Sequence, residues 1–181
     1  LVFGVPDQVS RHMIGSGKIR KLSFTGSIPV GKHLAQLAAE HMIKCTLELG
    51  GHSPVLVFDD ANLETVISQM VPFKYRNAGQ VCISPTRFYV HDSIHDEFVS
   101  RFTDAAKALK IGDGMDPETQ VGPMANDRRI TAMEEFVQDA RDHGAEVTTG
   151  GSRTGNQGYF FEPTVMADVS EEAAIMSKEP F

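Results

Sequence analysis

Apolar positions along this chain fall into two alternating kinds of segment, short β-like runs and longer stretches with helical spacing. The run 19–24 predicts a strand, Thr25-Gly26-Ser27 a turn, and 29–41 a helix with Leu34, Leu37 and Ala38 on one face. A short strand over 46–49 stops at Gly50-Gly51. The apolar run 54–58 predicts a strand buried on both faces. Asp60 or Asn62 then caps a helix whose inward residues are Leu63, Val66, Ile67 and Met70. Further on, the pattern predicts a strand over 87–90 and a helix opened by Asp92 or Ser93, with Ile94, Phe98, Phe102 and Leu109 inward. The stretch 111–123 holds three glycines and two prolines and reads as a loop. A helix over 126–143 carries Ile130, Met133, Val137 and Ala140 on one face, with Gly144 suited to the position after its end. Strands over 146–149 and 160–165 flank a glycine-rich turn over 150–158. Strands alternating with helices imply an α/β fold built on parallel strands. The last residues, Ser177-Lys178-Glu179-Pro180-Phe181, form no closing element and the first residue is not Met, so an internal piece of a longer chain is expected.

Composition narrows the function more than the fold. The chain has 181 residues, 41% hydrophobic and 23% charged, an ordinary folded mixture. Its net charge of −7 disfavours a nucleic-acid or anionic-membrane partner. No stretch approaches the roughly 18 apolar residues of a membrane span. Two cysteines, Cys45 and Cys82, are too few for a disulfide scaffold and suit a reduced, cytoplasmic protein. No Cys/His cluster has zinc-ligand spacing, so no metal is expected.

Three segments carry candidate chemistry. In Asn77-Ala78-Gly79-Gln80-Val81-Cys82, two small residues precede a thiol, which suits a nucleophile in a tight pocket. A buried structural cysteine is the alternative. In Leu47-Glu48-Leu49-Gly50-Gly51 a strand would turn Glu48 away from both leucines, and a carboxylate at the end of an apolar segment suits a general base. An edge-strand glutamate facing solvent is the alternative. Phe24-Thr25-Gly26-Ser27 runs from a strand into a helix, the geometry in which a helix N-terminus binds phosphate, although the full G-x-G-x-x-G pattern is absent. Cys45 reads as a small core or half-buried residue, His52 as a turn residue, and Asp59-Asp60 as helix capping.

Those three segments, in that order and with Glu48 and Cys82 34 positions apart, resemble the motifs of the aldehyde dehydrogenase superfamily. Gly112-Asp113 and Val121-Gly122-Pro123 are similar to its downstream loop, and Glu179-Pro180-Phe181 to the start of its last nucleotide-contacting motif. The resemblance implies a parallel-sheet catalytic domain over 50–181 and, over 1–49, the tail of a Rossmann-type nucleotide-binding domain. It implies that the Cys82 thiolate attacks an aldehyde and that the oxyanion is held by the Cys82 N–H and an upstream Asn. Hydride then passes to NAD or NADP, and Glu48 activates the water that hydrolyses the thioester. It further implies Thr25, Gly26, Ser27, Gly50, Glu179 and Phe181 as cofactor contacts and a homodimeric or homotetrameric parent enzyme.

The family's enzymes are much longer than this chain, so the chain alone is expected to be inactive. Lys74-Tyr75-Arg76-Asn77 resembles the succinate-semialdehyde dehydrogenase branch, in which an Arg six residues before the thiol, here Arg76, contacts the substrate carboxylate. A helix-end Arg paired with a surface acid is the alternative. Ser84 stands where many members of that branch carry a second cysteine, which excludes a disulfide switch between these two positions.

Overall fold

The computed structural model describes residues 1–181, which form two compact units, Leu1–Gly50 and Gly51–Phe181. In the first, α1 (Pro6–Gly15) precedes β1 (Lys21–Gly26), α2 (Ile28–Glu40) and β2 (Lys44–Leu49). The strands are parallel, with Leu22 opposite Cys45, Phe24 opposite Leu47 and Thr25 opposite Glu48. Side chains alternate along each strand, so Leu22 and Phe24 meet the buried Ile14, Leu34 and Leu37 of the helices. Gly31 of α2 is buried against Leu49, whose methyl groups would lie within 3.0 Å of any Cβ added there.

The second unit starts with β3 (Ser53–Val57), α3 (Leu63–Tyr75) and β4 (Pro85–Val90), and β3 and β4 again pair in parallel. Next come α4 (His95–Lys107), α5 (Asp127–Asp142), β5 (Glu146–Thr149), β6 (Val165–Ala167) and the short α6 (Ala174–Ser177). Asn62 is the cap of α3, its side chain accepting from Thr65 N at 3.0 Å, while Asp59 and Asp60 lie exposed before it. Asn126 caps α5 in the same way, and Gly144 follows that helix with φ +87°. The core gathers Val57, Ile67 and Val71 with an aromatic group in which Phe102 packs edge-on to Phe88 at 5.0 Å. Tyr75 is buried there and donates to Thr164 O at 2.8 Å, and burial pushes its phenol above the ordinary value.

Several sequence expectations move. The first strand lies at Lys21–Gly26, so Thr25 and Gly26 end a strand instead of forming the turn. The run 54–58 is not buried on both faces: Leu56 and Phe58 are exposed while Val57 is buried. The strand expected over 160–165 starts only at Val165 and is antiparallel to β5. Pro163 lacks the donor a ladder needs, so Phe161 makes just an isolated bridge with Arg153. Helix α4 begins at His95, after a 3₁₀ turn over Asp92–Ile94, and is opened by neither Asp92 nor Ser93. Helix α1 was not expected, having no side-chain cap and one buried residue, Ile14.

Candidate active site

In the first unit the parallel register sets Thr25 beside Glu48 at the C-terminal ends of β1 and β2. Both are exposed, on the strand faces opposite Phe24 and Leu47. Parallel α/β sheets bind ligands outside these ends of their strands. Ser27 is the N-cap of α2, with extended backbone, and its side chain makes no cap hydrogen bond. Its hydroxyl is therefore unspent at the positive end of a 13-residue helix. Gly50 follows β2 and is half-buried.

In the second unit the thiol segment is held by its neighbours. Helix α3 ends at Tyr75, and Asn77, Ala78 and Gly79 then take left-handed conformations in succession, with φ of 52°, 55° and 74°. Two of the three carry a Cβ, so the turn is strained and must be held. Asn77 Nδ2 donates to Gln80 O at 3.0 Å and Gln80 Nε2 donates back to Asn77 O at 3.0 Å. The Gln80 amide oxygen also accepts from Ala125 N at 2.8 Å, which ties the segment to the loop after Val121-Gly122-Pro123. On the other side, Lys74 Nζ donates to Ser84 Oγ and Ser84 Oγ donates to Lys74 O, both at 3.2 Å. Burial pushes the Lys74 ammonium down to about 8.

Cys82 sits between these two clamps and is exposed, so the buried structural cysteine does not describe it. The amides of Gln80, Val81 and Ser84 donate inside the loop, whereas that of Cys82 has no acceptor in the chain. A Cβ at Gly51 would meet Cys82 O at 3.6 Å, an ordinary contact. Arg76 is exposed on the same loop, its guanidinium 5.1 Å from the centre of the Phe73 ring. Arginine–carboxylate pairs occur at Arg11–Asp7, Arg101–Glu64 and Arg101–Glu97, and Arg76 makes none.

Glu179 is half-buried and Phe181 exposed. Arg129 Nη2 donates to Pro180 O at 2.9 Å. Phe181 lines an apolar cavity of about 510 Å³ with Tyr75, Phe88, Phe98, Met133 and Phe161, and Cys82 is not part of its wall. Cys45 is half-buried, as expected. Sequence reasoning missed Lys74, Gln80 and the reach of His52. Lys74 and Gln80 lay inside quoted segments, but nothing local marks which side chains brace a loop.

The aldehyde dehydrogenase family pattern matches residues 1–181. The chain belongs to this family. It is 48% identical over 181 residues to 4-(hydroxymethyl)benzenesulfonate dehydrogenase TsaD1 of Comamonas testosteroni, covering all of this chain and 37% of that protein. It is 38% identical over 181 residues to the NADP⁺ succinate-semialdehyde dehydrogenase GabD of Escherichia coli K12, covering all of this chain and 38% of that protein. The crystal structure of succinate-semialdehyde dehydrogenase from Burkholderia pseudomallei superposes with a TM-score of 0.95 at 37% identity, over 99% of this chain and 37% of that one. The fold is therefore that of an aldehyde dehydrogenase, mixed α/β with parallel sheets. The chain spans somewhat over a third of the length of these relatives. No helix is long and apolar enough to cross a membrane.

Proposed function

We propose that this chain carries the nucleophile and the base of a cytoplasmic, homo-oligomeric NAD(P)-dependent aldehyde dehydrogenase that oxidises a semialdehyde to the acid. Residues 1–49 serve as the end of its nucleotide-binding domain and 50–181 as most of its catalytic domain. The observation that carries this reading is the exposed Cys82 on a loop braced from both sides, with its own amide unspent. In this reading the Cys82 thiolate adds to the aldehyde carbon, and its N–H stabilises the charge that develops on the oxygen. NAD(P), when bound, supplies the hydride acceptor. Cys82 holds the acyl group as a thioester until Glu48 takes a proton from the water that cleaves it. Ser27 and the first amides of α2 would hold the pyrophosphate, with Gly26 and Gly50 allowing close approach, Thr25 near the nicotinamide, and Glu179 and Phe181 at its ribose side.

Both relatives are named for anionic compounds, a benzenesulfonate and a semialdehyde of succinate. An exposed Arg76 without an acidic partner suits the anionic end of such a substrate.

The test uses the protein at full family length. Cys82→Ala should abolish aldehyde oxidation while nucleotide still binds; turnover above a trace would remove Cys82 as nucleophile. Glu48→Gln should leave a first-turnover burst of reduced cofactor followed by a slow steady state. A normal steady state without a burst would sink that role. Arg76→Ala should lower kcat/KM on succinate semialdehyde about 30-fold or more, since bound substrate would cover Arg76 and a half-made buried charge pair costs about 2–5 kcal/mol, and leave butanal little changed. Equal losses on both would make Arg76 a loop-positioning residue. A second reading, that residues 1–181 alone are inactive, follows from the length comparison. Micromolar NAD binding by this piece in calorimetry would contradict it.

A further inference from the structure

Helix α6 is four residues long, and its own backbone bonds, Met176 N to Ala173 O and Lys178 N to Ala174 O, are local to the turn. So short an element cannot fix its own place, and three ties from outside do so. Asp139 Oδ2 accepts from Ala174 N at 2.6 Å, and Arg129 Nη2 donates to Pro180 O at 2.9 Å, both from α5. The third tie is from His52 Nε2 to Ile175 O, across 123 positions of sequence. A carbonyl oxygen only accepts, so Nε2 carries the proton. The neutral ring then offers Nδ1 as an acceptor, and Nδ1 meets the hydroxyl of Thr86. Burial lowers the pKa of His52, which favours this neutral form. The backbone oxygen of His52 is held in turn by Arg87 Nη2 at 2.9 Å. Thr86 and Arg87 lie on β4, directly after the braced Cys82 segment.

We infer that His52 is a positioning residue that ties the segment bearing Glu179 to the wall beside the Cys82 loop, and so sets the affinity for NAD(P). The inference rests on the reading of Glu179 as a nicotinamide-ribose contact. Its physical core is one imidazole using both nitrogens, one on each of two segments that flank the proposed chemistry. A histidine serving only the β3–β4 sheet would need the Thr86 contact alone.

Two substitutions separate those roles. His52→Gln keeps a donor amide where Nε2 stands and preserves the bond to Ile175. His52→Asn keeps an acceptor where Nδ1 stands, preserves the contact with Thr86, and falls short of Ile175. In the full-length protein, hydrogen exchange of residues 173–181 by mass spectrometry reads the tie, and titration with NADH or NADPH reads its consequence. Thermal melting controls for loss of fold, and Glu179→Gln controls for the ribose reading. The expected result is faster exchange over 173–181 and about five- to tenfold weaker nucleotide binding in His52→Asn, the scale of one lost hydrogen bond, with His52→Gln close to the unmodified protein. Unchanged exchange in His52→Asn would overturn the tie. Faster exchange with unchanged affinity, while Glu179→Gln binds weakly, would overturn the link to the cofactor. Unchanged affinity in Glu179→Gln would overturn the ribose reading and that link together, while exchange still decides the tie. Equal damage in the Gln and Asn variants, with equal loss of melting temperature, would make His52 a sheet residue and nothing more.

Discussion

In Leu1–Gly50 the candidate groups are fixed by backbone register, whereas in Gly51–Phe181 they are fixed by side chains. Thr25 and Glu48 stand together because β1 and β2 pair in parallel, and neither side chain makes a hydrogen bond of its own. Cys82 stands where it does because Asn77, Gln80, Lys74 and Ser84 grip a loop that no ladder supports. The cores differ in the same sense. The first unit buries Ile14, Leu34 and Leu37, and the second an aromatic group with Phe98 and Phe102 at its centre. A strained loop needs a rigid floor, while a strand end needs only its neighbour. Truncating a core aromatic or Gln80 in the second unit should therefore cost more than truncating a core leucine or Thr25 in the first.

The largest contrast lies in the cores. Phe102→Ala should cost about 3–5 kcal/mol and Leu34→Ala about 2–3 kcal/mol, since Leu34 can collapse towards a smaller cluster. Urea unfolding of each variant measures this, and a reversed order would break the comparison. Next is Lys74, whose ammonium is held by desolvation at about 8, below the ordinary lysine value of about 10.5. Between those values the unfolded chain binds the extra proton, so stability should rise with pH by up to about 1.4 kcal/mol per unit. Below pH 8 the desolvated cation works against folding, so Lys74→Met should stabilise the fold at pH 7 by about 1–3 kcal/mol, read as a higher urea midpoint, and flatten the rise from pH 8 to 10. A variant with the same pH slope as the parent would show that Lys74 is not the group responsible.

A smaller effect tests the loop directly. Gln80→Ala removes the partners of Ala125 N and Asn77 O and should cost about 1–3 kcal/mol. Thr25→Ala, on a registered strand, should stay within about 0.5 kcal/mol. The rate of Cys82 alkylation by iodoacetamide should change in Gln80→Ala and not in Thr25→Ala. A small gain is expected at the strained turn: Ala78→Gly relieves a left-handed alanine and should stabilise by about 0.5–1 kcal/mol, net of the added chain entropy. A loss instead would mean that the Ala78 methyl, half-buried against the cluster of Met124, Ile130, Val137 and Phe161, matters more than the strain.

Much of the site was legible in the residues. The alternation around Glu48, the strand-to-helix passage at Ser27 and the small residues before Cys82 are local patterns, and they survive folding because strand and helix periods act over a few residues. Where the reading slipped, a non-local cause decided. Leu56 and Phe58 look as buried in sequence as Val55 and Val57, but the core lies on one face of β3 only. The apolar run expected as a strand over 160–165 lost its ladder at Pro163 and paired only from Val165 on.

By itself the sequence determined the residue types and their spacing: a thiol shortly after two small residues, a carboxylate between two leucines, a serine before a helix. The tertiary structure decided what each of these would touch. That Lys74 reaches Ser84, that Gln80 reaches Ala125 and that His52 reaches Ile175 depend on segments 10, 45 and 123 positions away. Desolvation and hydrogen-bond partnership are properties of the packed neighbourhood, and only the folded chain assembles that neighbourhood.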